Sequence, residues 1–396
     1  MRVRSAFVLT VVAVSIVTAG CDWPMFRSDP SHSGFNPIER TIGTTNVNRL
    51  TTQWTATAGL PALSSPAVAN GVVYVTSLGE LHAFDAAGKT NCSGTPTSCA
   101  PLWNGTIGGN GLVSDVVASP AVANGVVYIA SNDSGPHDSD GKLWAFDAAG
   151  KINCSGTPKS CTPLWSATIG PSFSSPTVAN GVVYVGSDDG NLYAFDAAGT
   201  TNCSGTPKSC APLWSATTGN SVESSPAVAS GVVYVGSDDG NLYAFDAAGT
   251  TNCSGSPKSC APLWRATAPT SFSSPAVVNG IVYVGAGDHK LYAFDAAGTT
   301  NCSGSPKSCT PLWSATTGDY VFSSPAVANG VVYVGSEDRK LYAFDAAGTI
   351  NCSGSPKSCT ALWSATTGNT VYSSPAVANG VVYIRSTDAK LYAFAP

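Results

Sequence analysis

The residues best placed to do chemistry in this chain are its cysteines. There are 13, and twelve fall into six pairs with one spacing: Cys92/Cys99, Cys154/Cys161, Cys203/Cys210, Cys253/Cys260, Cys302/Cys309 and Cys352/Cys359. Two chemistries compete for such pairs. A structural zinc site needs four ligands and usually pairs its cysteines with about two residues between them. Here each pair supplies two ligands with six residues between them, and the next pair lies a whole repeat away. The intervening Ser-Gly-Thr/Ser-Pro-Lys/Thr-Ser carries the Gly and Pro of a turn that brings the thiols together. Six local disulfides are therefore expected, each contributing about 2–3 kcal/mol by loop entropy. Disulfides persist only outside a reducing cytosol, and Cys21 is left over.

The N-terminus agrees with export. Arg2 and Arg4 precede an apolar run over residues 6–17 that is too short to span a bilayer, so residues 1–20 are expected to be a signal peptide. The run Val17-Thr18-Ala19-Gly20-Cys21 resembles a bacterial lipobox, with Thr18 where Leu is usual. The resemblance implies lipidation of Cys21 and a membrane anchor; the alternative is ordinary cleavage after Ala19. Residues 21–48 are then expected to be a lipidated linker and residues 49–396 the folded domain.

Other candidate groups are weaker. Asp85, Asp147, Asp196, Asp246, Asp295 and Asp345 recur in Asp-Ala-Ala-Gly, where an Asp accepts backbone N–H bonds in a turn. Six equivalent copies do not make six active sites. His32, His82, His137 and His289 have no metal-ligand spacing. Residues 132–141 form an acidic insertion whose Asp133, Asp138 and Asp140 could bind Ca²⁺, but its spacing is not that of an EF-hand. No metal, cofactor or catalytic residue is expected.

What positions these groups is a repeat. Trp54, Trp103, Trp165, Trp214, Trp264, Trp313 and Trp363 mark seven units, mostly 49–50 residues apart. Each unit holds four strand candidates; in one they cover residues 225–229, 232–236, 241–246 and 262–267. The first two flank Ser230-Gly231, which is Asn-Gly in most copies, and the next two flank Asp238-Asp239-Gly240; both are hairpin signals. Charged residues are only 11% of the chain, and the net charge of −5 gives no basic stripe for nucleic acid. The pattern predicts an all-β, seven-bladed β-propeller of four-stranded antiparallel blades. The last unit lacks its Trp strand and Trp54 has no preceding blade, so the N-terminal strand is expected to close the ring.

Units such as Tyr-Val-Gly-Ser-Asp-Asp-Gly-Asn-Leu-Tyr-Ala-Phe-Asp-Ala-Ala-Gly, with the opening Asp22-Trp23-Pro24-Met25-Phe26-Arg27, resemble the quinoprotein-type (PQQ-like) β-propeller repeat family. Ala194, Asp196, Gly199 and Trp214 match its tryptophan-docking pattern in part, with the Cys loop inserted. The family often has eight blades, and seven units depart from that. It includes quinone (PQQ)-dependent dehydrogenases, but their vicinal cysteine pair is absent here. The layout is closer to that of envelope lipoproteins of this fold, such as the outer-membrane protein assembly lipoprotein. The resemblance implies a non-catalytic, monomeric scaffold that binds envelope proteins; the alternative is a quinone-dependent dehydrogenase or other envelope enzyme. Repeated Asp turns on one rim and Lys159, Lys208, Lys258, Lys307 and Lys357 on the other are expected to give rims of opposite charge. The basic rim is expected to be studded with the six disulfide loops.

Overall fold

Alternating small and β-branched residues between glycine turns give short strands throughout. The computed structural model describes residues 22–36, 52–57, 64–77, 79–107, 118–132, 141–270, 272–378 and 380–396. In the fourth unit the inner strand is Ala227–Ala229, followed by Val232–Ser237, Asn241–Asp246 and the tryptophan strand Trp264–Thr267, all antiparallel. Units one to six build this four-stranded sheet and the seventh has three strands. The result is a multi-blade β-propeller.

The turns work as their residues require. Between the first two strands Ser230 and Gly231 have φ of 50° and 78°, the pair of left-handed conformations that matches strand twist. The next turn needs one such residue, supplied by Gly240 at 81° but by Ala389 at 66° in the last unit. An L side chain there costs about 1 kcal/mol or more. Ala389→Gly is therefore expected to stabilise the protein by about 1 kcal/mol, read as a higher denaturation midpoint; a lower midpoint contradicts it.

The third strand is buried on both faces, with Leu242, Ala244 and Phe245 fully enclosed and Tyr243 nearly so. Neighbouring units cover those faces through the tryptophans. Trp214 does not dock on Gly199 of its own unit. It lies over Gly249 of the next, where an added Cβ would stand 2.1 Å from Trp214 Cδ1, and Trp165 takes Gly199. The carbonyl of Ala247 accepts both Trp214 Nε1–H at 3.3 Å and the Tyr184 hydroxyl at 2.9 Å. This seat thus ties two strands of one blade to the next Asp-Ala-Ala-Gly turn.

All six cysteine pairs are joined as disulfides. Each bridges a two-stranded hairpin, such as Cys253–Ser254 with Ser259–Cys260. The hairpin does more than close a local loop. It lies parallel against the tryptophan strand of the preceding blade, pairing Ser215 with Ser259, so blades one to five become six-stranded. Edge N–H and C=O groups that would otherwise be open are thereby covered. Replacing both Cys253 and Cys260 by Ser is expected to cost about 2–3 kcal/mol, measured by chemical denaturation. No loss would mean that the hairpin's strand pairing suffices without the bridge.

The hairpin tips, such as residues 254–259, stay exposed, but the docking encloses one end of each loop. The second cysteine of every pair is buried: Cys99, Cys161, Cys210, Cys260, Cys309 and Cys359. Cys161, Cys210, Cys309 and Cys359 belong to the same apolar clusters as Trp103, Trp165, Trp264 and Trp313, the tryptophans of the units before them. Their partners Cys154, Cys203, Cys302 and Cys352 are only half-buried at the edge of those clusters. The physical reason is the parallel pairing itself, which lays the second hairpin strand on the neighbouring blade and shuts its sulfur in. These bridges are therefore part of inter-blade cores, where a cystine counts as an apolar side chain as well as a cross-link.

The seam between the last and first units differs from the expected clasp. Thr55–Ala56 pairs in parallel with Ser98–Cys99, and Trp54 sits over Gly88 and donates to Ala86 O at 3.2 Å. It therefore behaves as a tryptophan strand toward unit one. Among the described residues it does not pair with Leu391–Phe394, whose outer edge leaves Leu391 70% exposed. Trp363 is 42% exposed and meets Phe394.

Candidate functional site

The first and last units are linked at the axis. Residues 22–36, expected to be part of a linker, instead run past the inner strands. Val68 and Val122 donate backbone N–H bonds to Trp23 O and Pro24 O, and Val228, Val277, Val327 and Val377 donate to Pro30, Ser31, Ser33 and Gly34 O. The remaining unit is reached by a side chain, His32 Nε2 to Thr177 Oγ1 at 3.0 Å. One curled segment therefore touches all seven units.

Its polar residues are held inside. Asp29 accepts the amides of Ser31 and Ser33 and both their hydroxyls, which fixes the curl. Arg27 is buried and donates to Ser324 O at 3.2 Å, Pro375 O at 3.0 Å and Pro325 O. Burial, partly offset by Asp29, lowers its guanidinium to about 9, still charged at neutral pH. Gly34 lies so close to Arg27 that a Cβ would overlap the guanidinium.

Burial pushes the His32 imidazole down to about 3, with the Arg27 charge adding to the effect and Asp29 opposing it. The unfolded imidazole, near 6.5, takes its proton first. Stability should therefore fall as pH drops below about 6.5 toward 3, by about 1.4 kcal/mol per unit at most. His32→Gln should reduce that slope relative to the parent protein at the same pH values. Equal slopes in the two proteins would contradict the assignment.

The repeated acids and four of the five repeated lysines make structural hydrogen bonds. Asp196 accepts the amides of Ala198, Thr200 and Thr201 and the Thr200 hydroxyl. Burial opposes ionisation there, but these hydrogen bonds outweigh it and hold the carboxyl at about 2. Lys159, Lys208, Lys258 and Lys307 donate to the glycine carbonyls of their own Asp-Ala-Ala-Gly turns. In the other turns Asp189, Asp239 and Asp288 accept the hydroxyls of Tyr193, Tyr243 and Tyr292 at 2.5–2.6 Å. His82 bridges Ser77 and Asn104 at 2.8 and 2.9 Å. Cys21, His137, Asp133, Asp138 and Asp140 lie outside the described residues.

A second feature appears where each unit enters its inner strand. The amides of Ser65, Ser119, Ser175, Ser225, Ser274 and Ser324 each donate to the serine hydroxyl of the next unit, ending at Ser374, at 2.9–3.0 Å. This belt sets one residue per unit, two positions before each serine, at successive steps: Phe173, Glu223, Phe272, Phe322 and Tyr372 in the last five units. Phe272 is 55% and Tyr372 51% exposed. Their rings join through Phe322, at 5.5 Å from Phe272 and 6.3 Å from Tyr372, with Tyr320 alongside at 5.5 Å. His289 packs edge-on against Tyr320 at 4.9 Å.

The step before Phe272 is acidic. Burial, then the charges of Asp238 and Asp188, push the Glu223 carboxyl up to about 7. Burial, Asp238 and Asp189 push Asp188 up to about 6. Glu223 Oε2 and Asp188 Oδ1 are buried with no hydrogen-bond donor among the described residues. The arc has no signature in the recurring residues, because its signal lies in the one position that varies from unit to unit.

Comparison with solved structures places the architecture. The chain is similar to BamB from Moraxella catarrhalis, with a TM-score of 0.56 at 17% identity over 82% of this chain and 79% of that one. This is the PQQ-like β-propeller fold. The chain is also similar in fold to the computationally designed Ika8 protein, at TM-score 0.59 and 13% identity over 84% and 83% of the two chains, and to the quinohemoprotein alcohol dehydrogenase ADHIIG from Pseudomonas putida HK5, at 0.52 and 13% over 92% and 75%. A family model described as outer membrane protein assembly factor BamB matches residues 261–351, within the repeats. No curated protein matches the chain. At these identities the likeness is one of fold.

Proposed function

We propose that this PQQ-like propeller is an exported, non-catalytic scaffold that binds other proteins of the bacterial envelope, anchored through lipid on Cys21. The observation that carries this reading is the use made of the axis. The place where the inner strands converge is filled by the chain's own residues 22–36, hydrogen-bonded to the inner strands. The repeated carboxylates are likewise committed to capping turns and binding tyrosine hydroxyls. What remains for recognition is surface, and the aromatic arc is its most distinctive part. Disulfides in six units support an oxidising location. The BamB match supports an assembly-factor type. The quinohemoprotein likeness is the ground for the alternative, a quinone-dependent envelope enzyme.

The test is retention of detergent-solubilised envelope proteins on the purified chain, with its visible spectrum recorded. A specific, saturable partner and a colourless protein support the scaffold. A bound chromophore reduced by an alcohol substrate overturns it. Mass analysis of the N-terminal peptide tests the anchor separately, since an unmodified Cys21 or a chain starting at Gly20 rules it out.

A further inference from the structure

We infer that the aromatic arc and the acids beside it form one docking surface for an extended peptide segment of a partner protein, carrying a cationic side chain next to large apolar ones. The inference rests on the scaffold reading and specifies the chemistry of what the scaffold holds.

Four observations converge. Phe272, Phe322 and Tyr372 form a continuous ring-to-ring surface across three successive units, and two of them are more than half exposed. Scattered apolar residues are ordinary on a surface, but a joined aromatic patch is the kind that anchors partners. The serine belt holds these positions at one step per unit, so the surface is rigid and follows an arc that suits an extended chain. The next step of the same arc is Glu223, where the other described units place aromatic rings. Finally, Glu223 and Asp188 present buried carboxylate oxygens that no described donor satisfies, with Asp238 close enough to act on both.

Unsatisfied buried acceptors beside like charges are costly, and a guanidinium or ammonium satisfies them with charge-assisted hydrogen bonds. No group of acidic and histidine side chains with metal-ligand geometry occurs among the described residues. The complement is thus a cationic side chain on a flexible stem, with apolar side chains one or two residues along it seated on Phe272 and Phe322. An acidic or purely polar segment would meet the carboxylates unfavourably.

The experiment is selection of a random heptapeptide display library on the immobilised full chain, followed by binding of the selected peptides in solution. Selected sequences should be enriched in Arg or Lys adjacent to Leu, Phe or Trp. They should bind Glu223→Gln and Phe272→Ser/Phe322→Ser about tenfold or more weakly than the parent chain. Replacing the peptide's cation by Gln should cause a similar loss with the parent and little further loss with Glu223→Gln. The variants' denaturation midpoints separate lost binding from lost folding; if Phe272→Ser/Phe322→Ser unfolds, Phe272→Ser alone serves. No enrichment, enrichment of acidic or purely apolar sequences, or affinities indifferent to these variants overturns the inference. An envelope partner retained equally by Glu223→Gln and Phe272→Ser would leave the scaffold standing and move its contact elsewhere. Peptide binding as described without any envelope partner would sink the scaffold reading and keep the surface.

Discussion

Deleting residues 22–36 is expected to remove at least about 5 kcal/mol of stability, comparable with the whole stability of many domains. Six inner-strand amides would lose their acceptors, at about 1 kcal/mol each, together with the buried side chains of Met25, Arg27 and His32. The segment also spans the seam, since Trp23 bonds to Val68 in the first unit and Gly34 to Val377 in the last. No other described backbone pairing joins those two units. The single substitution Arg27→Lys should cost about 2–3 kcal/mol, because one ammonium cannot reproduce a planar fork reaching Ser324, Pro325 and Pro375. Both are measured by denaturant titration. An unchanged midpoint after deletion would show that the strands hold themselves around the axis without it.

Trp214→Ala is expected to cost about 3–5 kcal/mol, the range for removing a fully buried aromatic side chain. The same change at Trp363 should cost about 1 kcal/mol or less, since that side chain is 42% exposed and has no glycine seat among the described residues. The two residues lie in identical Leu-Trp-Ser-Ala-Thr-Thr sequences, so only their surroundings differ. Gly249→Ala should approach the Trp214→Ala loss from the other side, since φ is +62° there and the new methyl would strike the indole. Equal losses at Trp214 and Trp363 would contradict the seat as the source of the energy.

These contrasts show where the sequence was legible. The Asn-Gly and Asp-Gly turns, the strands between them and the disulfide pairs were readable because each depends on neighbours along the chain. Asp196 was readable as a turn cap for the same reason: its partners are two to five residues away. The docking pattern Ala194-Asp196-Gly199-Trp214 was readable as a motif, but its pairing was not. Trp214 meets Gly249 and Gly199 meets Trp165, since the contact crosses between units.

The disulfide hairpin shows the same limit. Its closure is local, but its docking on the preceding blade depends on the step between units, which no spacing encodes. Cys210 and Cys309 read as rim cysteines for that reason, yet they are enclosed beside Trp165 and Trp264. The same holds for Lys258: a rim charge by position, it points its ammonium back to Gly249 O and lends its own carbonyl to Ser215. Residues 22–36 show the limit most fully. Being rich in Ser, Pro and Asp, they look like a linker, and only the converging inner strands supply their backbone partners.

By itself, the sequence determined the repeat, the four-strand unit, the turns, the pairing of the cysteines and the fold class, because periodicity and short-range hydrogen bonding suffice for these. The tertiary structure alone decided that the N-terminal segment occupies the axis, that each tryptophan belongs to its neighbour's glycine, and that Glu223 interrupts an aromatic arc. Those features join residues from 33 to 348 positions apart, and their energy exists only once the units stand side by side.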